Sequence, residues 1–147
     1  MVSADDVVGT WLLIGRGASE GHQAALLERY GEHSEGVVVL SPEGWLCAAL
    51  GRGDRARLPG DPGWHVDAPP DDRLAAFDSF VSYAGRFRFE DGRLITKVEF
   101  ALNPSWVGGE QVRDVELRPD GTMRLVVTRT WPNGEDVSVW VDWRRAD

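Results

Sequence analysis

Four short segments with turn chemistry divide much of the chain into runs of strand-forming residues. They are Ser41-Pro42-Glu43-Gly44, Glu90-Asp91-Gly92, Arg118-Pro119-Asp120-Gly121 and Trp131-Pro132-Asn133-Gly134. Each places glycine where a β-hairpin needs a positive φ angle. The chain is therefore expected to form consecutive strands joined by tight hairpins.

The runs between these turns are rich in β-branched and aromatic residues, which favour strands. The predicted strands are Val7–Ile14, Val37–Ser41, Trp45–Leu50, Tyr83–Glu90, Leu94–Leu102, Gln111–Arg118, Thr122–Thr130 and Asp136–Arg144, with Ala24–Tyr30 as a further candidate. In 147 residues such a meander has to close into a barrel or fold into a sandwich. We predict one all-β domain over residues 1–147, an antiparallel barrel of about eight to ten strands.

One segment departs from the strand pattern. Leu74, Phe77 and Val81 are spaced at i, i+3 and i+7 behind acidic residues and prolines, which predicts a short amphipathic helix over about residues 71–81. Residues 51–70, rich in Gly, Pro, Arg and Asp, predict a long loop before that helix. Loops of this length in compact domains are usually functional lids or disordered segments.

Charge and composition narrow the choice of partners. A net charge of −8 argues against nucleic acid or an anionic membrane as the main partner, because phosphates favour clustered lysines and arginines. The sequence shows neither a signal-peptide pattern nor an apolar run of membrane-spanning length, so a cytoplasmic location is expected.

Cysteine and histidine residues give no sign of a metal centre. Cys47 is the only cysteine, which excludes an internal disulfide, and its apolar neighbours predict a buried, inert thiol. His22, His33 and His65 are far apart in polar, loop-like segments. Because phosphate-loop, zinc and nucleophile-elbow motifs are missing from the sequence as well, we predict no metal and no cofactor.

Alternation along the strands predicts which side chains enter the barrel. From Tyr83 onward the inward set is Tyr83, Gly85, Phe87 and Phe89. On the following strand the inward set is Leu94, Thr96, Val98, Phe100 and Leu102. Lys97 and Glu99 then form a solvated outer pair, an assignment that a β-bulge would reverse.

The strand Gln111–Arg118 carries the most informative polar residues. Gln111 and Arg113 share a face with Val115 and Leu117, so they are expected to point inward. A buried guanidinium is costly unless it is paired and hydrogen-bonded. Arg113 therefore either sits at the barrel mouth beside a carboxylate or is held inside to meet an anionic or carbonyl-bearing ligand, and the pattern leaves both open.

Seven tryptophans in this chain indicate aromatic walls of the kind that apolar ligand pockets use. Trp140 and Trp143 are expected to fill the core. The predicted ligand contacts are Trp45, Trp64, Trp106, Phe87, Asn103 and Gln111.

The two ends of the chain resemble those of lipocalins. Gly9-Thr10-Trp11 matches the Gly-x-Trp signature on the first strand, and the last strand ends in Trp143-Arg144-Arg145. In lipocalins an arginine at the end of the barrel stacks on that tryptophan through a cation–π contact. The resemblance implies that Arg144 or Arg145 does so here.

More specifically, the chain resembles the bacterial lipocalin-like domain family. The matching pieces are Val8 to Leu13, Ser41 to Trp45, Tyr83-Ala84-Gly85-Arg86-Phe87, Asn103 to Arg113 with its Pro-Ser-Trp-Val-Gly-Gly-Glu-Gln-Val-Arg run, and Trp143 to Arg145. The resemblance implies a closed barrel with a small-molecule cavity. Many relatives carry a histidine before the Val-Glu of the sixth strand, where this chain has Thr96 and Lys97, so no role of that histidine is transferred.

Two functions follow from this cavity, and we lean towards the first. A cofactor-free cyclase, isomerase or lyase for a hydrophobic, natural-product-like substrate would use Arg113 and Gln111 to polarise a carbonyl or hold a carboxylate. Tyr83 would donate or accept a proton, with Glu99 as the fallback base if its strand is bulged.

The alternative is a non-catalytic carrier that binds a small hydrophobic, carbonyl- or carboxylate-bearing molecule in the same cavity. A structural or partner-binding barrel with a filled core is a third possibility. In each case we expect a monomer or a homodimer.

Overall fold

Eight antiparallel strands close into one barrel in the computed structural model, which describes residues 1–130 and 132–147, Arg29 in its backbone only. The strands are β1 (Gly9–Ala18), β2 (Ser34–Leu40), β3 (Trp45–Arg52), β4 (Phe80–Glu90), β5 (Arg93–Ala101), β6 (Glu110–Leu117), β7 (Met123–Thr130) and β8 (Asp136–Arg145). Each strand pairs with the next, and β8 returns to pair with β1. The predicted antiparallel barrel is confirmed.

Three helices accompany the barrel: α1 (Ala4–Val7), α2 (Gln23–Tyr30) and α3 (Pro70–Asp78). The predicted helix over 71–81 corresponds to α3, which ends earlier because Phe80 and Val81 already pair with β3. Two 3₁₀ turns lie at His65–Asp67 and Pro104–Trp106. None of the helices in the described part of the chain is long and apolar enough to cross a bilayer.

The prediction of a strand over Ala24–Tyr30 is wrong, because this segment is helix α2. Its run of Ala, Ala, Leu, Leu and Glu consists of strong helix formers, without the β-branched residues typical of strands. The strand that pairs with β1 is β2, which begins only at Ser34.

The two ends of the barrel differ in their connections. Tight turns join β2 to β3, β4 to β5 and β6 to β7 at one end, where α1 also lies. The other end carries α2, the long segment with α3, the Pro104–Trp106 turn and the β7–β8 turn. The predicted turn glycines Gly44, Gly92, Gly121 and Gly134 all have positive φ, whereas Trp131 of the last turn lies outside the described residues. We call the first end the closed end and the second the open end.

A stacked arginine and tryptophan complete the closed end. The Arg145 guanidinium lies 4.2 Å from the centroid of the Trp11 ring and donates hydrogen bonds to the backbone oxygens of Val8 and Asp6. The indole of Trp11 donates to the oxygen of Val7 at 2.9 Å. The contact that the lipocalin resemblance implies is therefore present, and it is made by Arg145 rather than by the exposed Arg144.

The hydrophobic core runs along the inside of the barrel and reaches Leu50 and Tyr83 towards the open end. Its fully buried members include Trp11, Leu40, Leu46, Leu94, Met123 and Val98. Trp143 belongs to this core, as predicted. The same prediction is wrong for Trp140, whose ring lies outside the barrel against Gly17 and 4.8 Å from the Arg124 guanidinium.

A β-bulge reverses the predicted faces at the end of β5. Ala84 pairs with Phe100 but Gly85 pairs with Val98, which leaves Glu99 as the extra residue. Beyond it Ala101 packs on the core, while Phe100 is 66% exposed and Leu102 is exposed as well. The predicted inward set is correct through Val98 and wrong after it, because a bulge shifts the alternation by one residue.

Cys47 is exposed, so the predicted buried thiol is wrong. Its neighbours Leu46 and Ala48 both face the core, and alternation along β3 turns Cys47 to the outer face. The apolar run that suggested burial consists of one inward and one outward row.

Candidate functional site

Two of the predicted site residues meet as aromatic neighbours. Tyr83 on β4 is 9% exposed, and its ring makes an edge-to-face contact with Trp106, with centroids 5.8 Å apart at 78°. Trp106 is delivered by the Pro104–Trp106 turn, which Asn103 caps by accepting a hydrogen bond from the backbone N–H of Ser105 at 3.0 Å. Asn103 thus has a conformational role in placing Trp106.

Arg113 and Gln111 lie on the inward face of β6. They pair with Leu94 and Thr96, which are both fully buried inside the barrel. Arg113 donates from Nη2 to Gln111 Oε1 and from Nη1 to the backbone oxygen of Val112, each at 2.9 Å. No carboxylate of the described residues forms an ion pair with Arg113. The guanidinium is therefore oriented by neutral acceptors and keeps its positive charge uncompensated.

The electrostatics link Tyr83 to this guanidinium. Burial raises the pKa of the Tyr83 hydroxyl, and the positive charge of Arg113 partly opposes that rise. The phenol is therefore protonated at neutral pH and is able to donate a hydrogen bond. Within the described part of the chain it has no hydrogen-bond partner. We call Tyr83, Trp106, Gln111 and Arg113 the polar corner.

The remaining predicted site residues lie away from the polar corner. Phe87 faces inward but towards the closed end, where it packs edge-to-face on Phe89 at 6.5 Å. Trp45 lies on the outer face, with the Arg86 guanidinium 4.8 Å from its ring. Trp64 is 57% exposed in the segment before α3, and the Glu99 side chain is exposed at the β5 bulge.

Arg16 is an inward-facing cation that the sequence reasoning missed. A bulge at Ile14 shifts the alternation of β1, so Arg16 pairs with Val141, which packs on the core. Its Nε and Nη2 atoms are buried without a hydrogen-bond partner among the described residues. Burial lowers the pKa of Arg16, and Tyr30, whose ring centroid lies 4.0 Å from the guanidinium, partly offsets this. Glycines on both sides of Arg16 were the available signal, since glycine inside a strand often marks a bulge.

Among the clefts that the described residues form beside the barrel, two are well defined. The larger, of about 340 Å³, lies outside the closed end between α1 and the β2–β3 turn, and Phe87 and Arg88 contribute to its wall. The smaller, of about 140 Å³, lies between β1 and α2 and includes Arg16 and Tyr30. Neither of these two clefts is lined by Tyr83, Gln111 or Arg113.

Comparison with known families identifies the barrel. The sequence matches the family described as Lipocalin-like domain over residues 8–146. The chain belongs to the lipocalin-like domain family. This barrel type closes around side chains or one small ligand, and its lipocalin members bind small hydrophobic molecules.

Solved structures similar to this lipocalin-like barrel include odorant-binding proteins. Bovine odorant-binding protein with a selenium-containing odorant is 9% identical, with a TM-score of 0.47, over 100% of this chain and 74% of that one. Odorant Binding Protein OBP1 is 14% identical, with a TM-score of 0.48, over 99% and 76% of the two chains. The bovine protein with its natural ligand is 9% identical, with a TM-score of 0.48, over 100% and 76%. No curated protein matches the sequence.

Apolar side chains are exposed on the elements around the open end of this lipocalin-like barrel. They are Leu27, Trp64, Val66, Leu74, Phe77, Phe100, Leu102 and Val107. Leu74 and Phe77 form the apolar face predicted for α3, but that face is exposed rather than packed on the barrel.

Metal-ligand geometry is lacking in the described residues. No group of three or more His, Cys, Asp or Glu side chains is arranged to hold a metal ion there. His22 is engaged with Glu135 at 3.1 Å, which attaches the start of α2 to the β7–β8 turn.

Proposed function

We propose that the barrel binds a small hydrophobic molecule through a carbonyl or carboxylate oxygen, with Arg113 and Tyr83 as hydrogen-bond donors. One observation carries this proposal. The Arg113 guanidinium is on the inward face of β6 with only neutral acceptors among the described residues, and its charge acts on the Tyr83 phenol, which has no hydrogen-bond partner there.

The energetics favour an oxygen acceptor at this place. A hydrogen bond from a charged donor contributes about 1.5–3 kcal/mol and one from a neutral donor about 0.5–1.5 kcal/mol. A ligand oxygen between Tyr83 and Arg113 would accept one of each kind. Trp106 provides an aromatic wall for the body of the ligand, and the exposed apolar residues at the open end favour its entry.

Displacement of a neutral fluorescent reporter tests the proposal. N-Phenyl-1-naphthylamine would be bound to the protein and displaced with 2-decanone, which offers one carbonyl oxygen on an apolar chain. We expect Arg113→Met and Tyr83→Phe each to weaken ketone binding about tenfold, the value of one charge-assisted or buried hydrogen bond.

The matched control is Arg93→Met, because Arg93 is exposed and lies beside Arg113 in the same pair of strands. It removes the same charge and should leave binding unchanged. Equal ketone affinity in all four proteins would contradict the proposal. Native mass spectrometry of the purified protein would then show whether a different ligand is retained.

Catalysis is the second candidate function, favoured by the protonated state of Tyr83. A protonated phenol and a guanidinium that converge on one carbonyl oxygen would stabilise an enolate, as required by a cofactor-free isomerase, cyclase or lyase. The exposed position of Glu99 leaves this candidate without its fallback base, which is why binding is the better supported function.

Deuterium exchange separates the two candidates. The α-hydrogens of 2-decanone exchange in D₂O through the enolate, and NMR measures the rate. Exchange above the buffer rate that is lost in Tyr83→Phe and Arg113→Met, measured at ketone concentrations that saturate each variant, would support catalysis. Exchange at the buffer rate would contradict catalysis and leave ligand binding as the remaining function.

Several sequence-based expectations stay predictions. They are a single domain over residues 1–147, a cytoplasmic location, a monomeric or homodimeric state, and a lack of nucleic-acid, membrane, metal and cofactor partners.

A further inference from the structure

The wall of the barrel is incomplete between β1 and β2 at the open end. These strands pair only from Gly9 to Leu12 on β1 and from Val37 to Leu40 on β2. Beyond this short ladder, helix α2 lies against the second half of β1 and covers the gap. The cleft of about 140 Å³ between α2 and β1 lies at this gap, and we call it the opening between β1 and α2.

Arg16 is the charged group in this opening. Its side chain is half-buried, and its Nε and Nη2 atoms are completely covered without a hydrogen-bond partner among the described residues. The guanidinium is in addition supported by a side-chain hydrogen bond with Tyr30, and it forms no ion pair with a described residue. Glu32 and His33 line the same cleft, but both are exposed, and Glu32 forms no ion pair with Arg16 within the described residues. A buried guanidinium in this state is expensive unless a ligand compensates it.

The two unpaired nitrogens are those that hold carboxylates elsewhere in this chain. Arg124 binds Asp142 through Nε to Oδ1 at 2.7 Å and through Nη2 to Oδ2 at 2.9 Å. Arg52 binds Asp54 through the same pair of nitrogens, at 2.8 Å each. Such side-on, bidentate contacts are among the strong hydrogen bonds in proteins and match the planar carboxylate. Arg16 presents this pair of donors with no carboxylate.

We infer that Arg16 binds the carboxylate of an amphipathic acid in the opening between β1 and α2. The volume of about 140 Å³ suits a head group, whereas pockets for whole ligands measure about 300–1,000 Å³. The hydrophobic chain of the acid would follow the inward face of the barrel. This site extends the proposed function. It shares with that proposal only the premise that the barrel binds a small molecule, and it does not involve Arg113.

Binding at Arg16 requires α2 to move. Tyr30 covers the guanidinium at 4.0 Å, and Gln23 holds the first turn of α2 by donating to the backbone oxygen of Ala18. The contact between His22 and Glu135 holds the same end of the helix. A carboxylate that replaces the Tyr30 ring on Arg16 would displace the end of α2 that carries Tyr30 and leave its first turn attached.

Decanoate and decan-1-ol are the probes, because they differ in the carboxylate but share the apolar chain. Displacement of N-phenyl-1-naphthylamine would be measured for the wild type, Arg16→Met and Arg113→Met. Arg144→Met is the charge control, since Arg144 is exposed at the closed end. We expect Arg16→Met to weaken decanoate binding about tenfold or more and to change decanol binding less than about twofold. Arg144→Met should leave the binding of both probes unchanged.

Hydrogen–deuterium exchange gives a second readout. Decanoate should increase deuterium uptake in residues 19–33 of the wild type and leave Arg16→Met unchanged. Equal decanoate affinity in the wild type and Arg16→Met would overturn the Arg16 site. If Arg113→Met nevertheless weakened 2-decanone binding, the proposed function would stand without the Arg16 site. Failure of decanoate, decanol and 2-decanone to displace the reporter from the wild type would overturn both.

Discussion

A Cβ atom on Gly85 would lie 1.8 Å from the backbone oxygen of Lys97, far inside van der Waals contact. The bulge at Glu99 brings the two strands together at this point, where Gly85 pairs with Val98. Since the φ angle of Gly85 lies outside the left-handed region, the requirement for glycine is one of space alone. The Gly85–Lys97 contact therefore fixes the place where β5 reverses its faces.

Gly85→Ala should destabilise the protein by more than about 3 kcal/mol, because the added methyl group overlaps backbone atoms that cannot move without breaking the β4–β5 ladder. Urea unfolding followed by tryptophan fluorescence would measure the loss. Gly15→Ala is the matched control, since Gly15 adjoins the other bulge and an added Cβ there meets no atom within 4 Å. Equal unfolding midpoints for the two variants would refute the steric explanation.

Arg145→Met should cost about 2–4 kcal/mol of stability, because it removes the stacking on Trp11 and the hydrogen bonds to Val8 and Asp6. Thermal unfolding at neutral pH would measure the change. Arg144→Met removes an exposed arginine from the adjacent position and should stay within about 0.5 kcal/mol of the wild type. The stacking would be energetically unimportant if both variants unfolded at the same temperature.

Tyr83 should ionise above the ordinary tyrosine pKa of 10, because burial disfavours the phenolate more than Arg113 favours it. The folded protein holds this proton more tightly than the unfolded chain does. Its contribution to stability is therefore complete below about pH 10 and is lost as the pH rises through the folded pKa. Absorbance at 295 nm would follow the titration, with Tyr83→Phe as the reference. Arg113→Met should move it further upward, and an unchanged titration would show that the two groups do not interact.

Cys47 should react with Ellman's reagent in the native protein, since its side chain is exposed on β3. We expect a rate within about tenfold of that in urea, because accessibility and thiolate content control the reaction. Cys47→Ser supplies the background. If Cys47 reacted only after unfolding, its thiol would be buried, as the sequence suggested.

Turn chemistry and strand alternation predicted the barrel well, because both are local. The glycine of a hairpin is required by the conformation of the turn itself, and alternation follows from the geometry of a single strand. Both can therefore be recognised from residues that are close together in the sequence. The contact between Trp11 and Arg145 joins the two ends of the chain, and only the family resemblance indicated it. The polar corner followed from alternation along β6, which has no bulge.

The misplaced faces of Arg16 and Phe100 have a common physical origin in the two bulges. Alternation from Trp11 places Arg16 on the outer face, and the extra residue Ile14 turns it inward. In the same way Glu99 turns Phe100 outward. A bulge is decided by the pairing of two strands far apart in sequence, so alternation within one strand cannot locate it. For this reason Arg113 could be predicted as an inward cation and Arg16 could not.

Substitution by methionine should affect the free energy of unfolding differently at Arg124 and at Arg16. Arg124→Met deprives the half-buried Asp142 of its bidentate partner and should destabilise the protein by about 1–2 kcal/mol, with Arg118, 3.7 Å from Asp142, limiting the loss. Arg16→Met removes a buried guanidinium whose Nε and Nη2 are unpaired, and should leave stability unchanged or raise it by up to about 2 kcal/mol, despite the lost contact with Tyr30.

Urea unfolding of both variants at neutral pH would measure these changes. A stable Arg16→Met protein would also establish that any loss of decanoate binding reflects the missing donor pair rather than a damaged barrel. A loss of stability in Arg16→Met as large as that in Arg124→Met would mean that Arg16 is structurally compensated, and its unpaired nitrogens would then need no ligand.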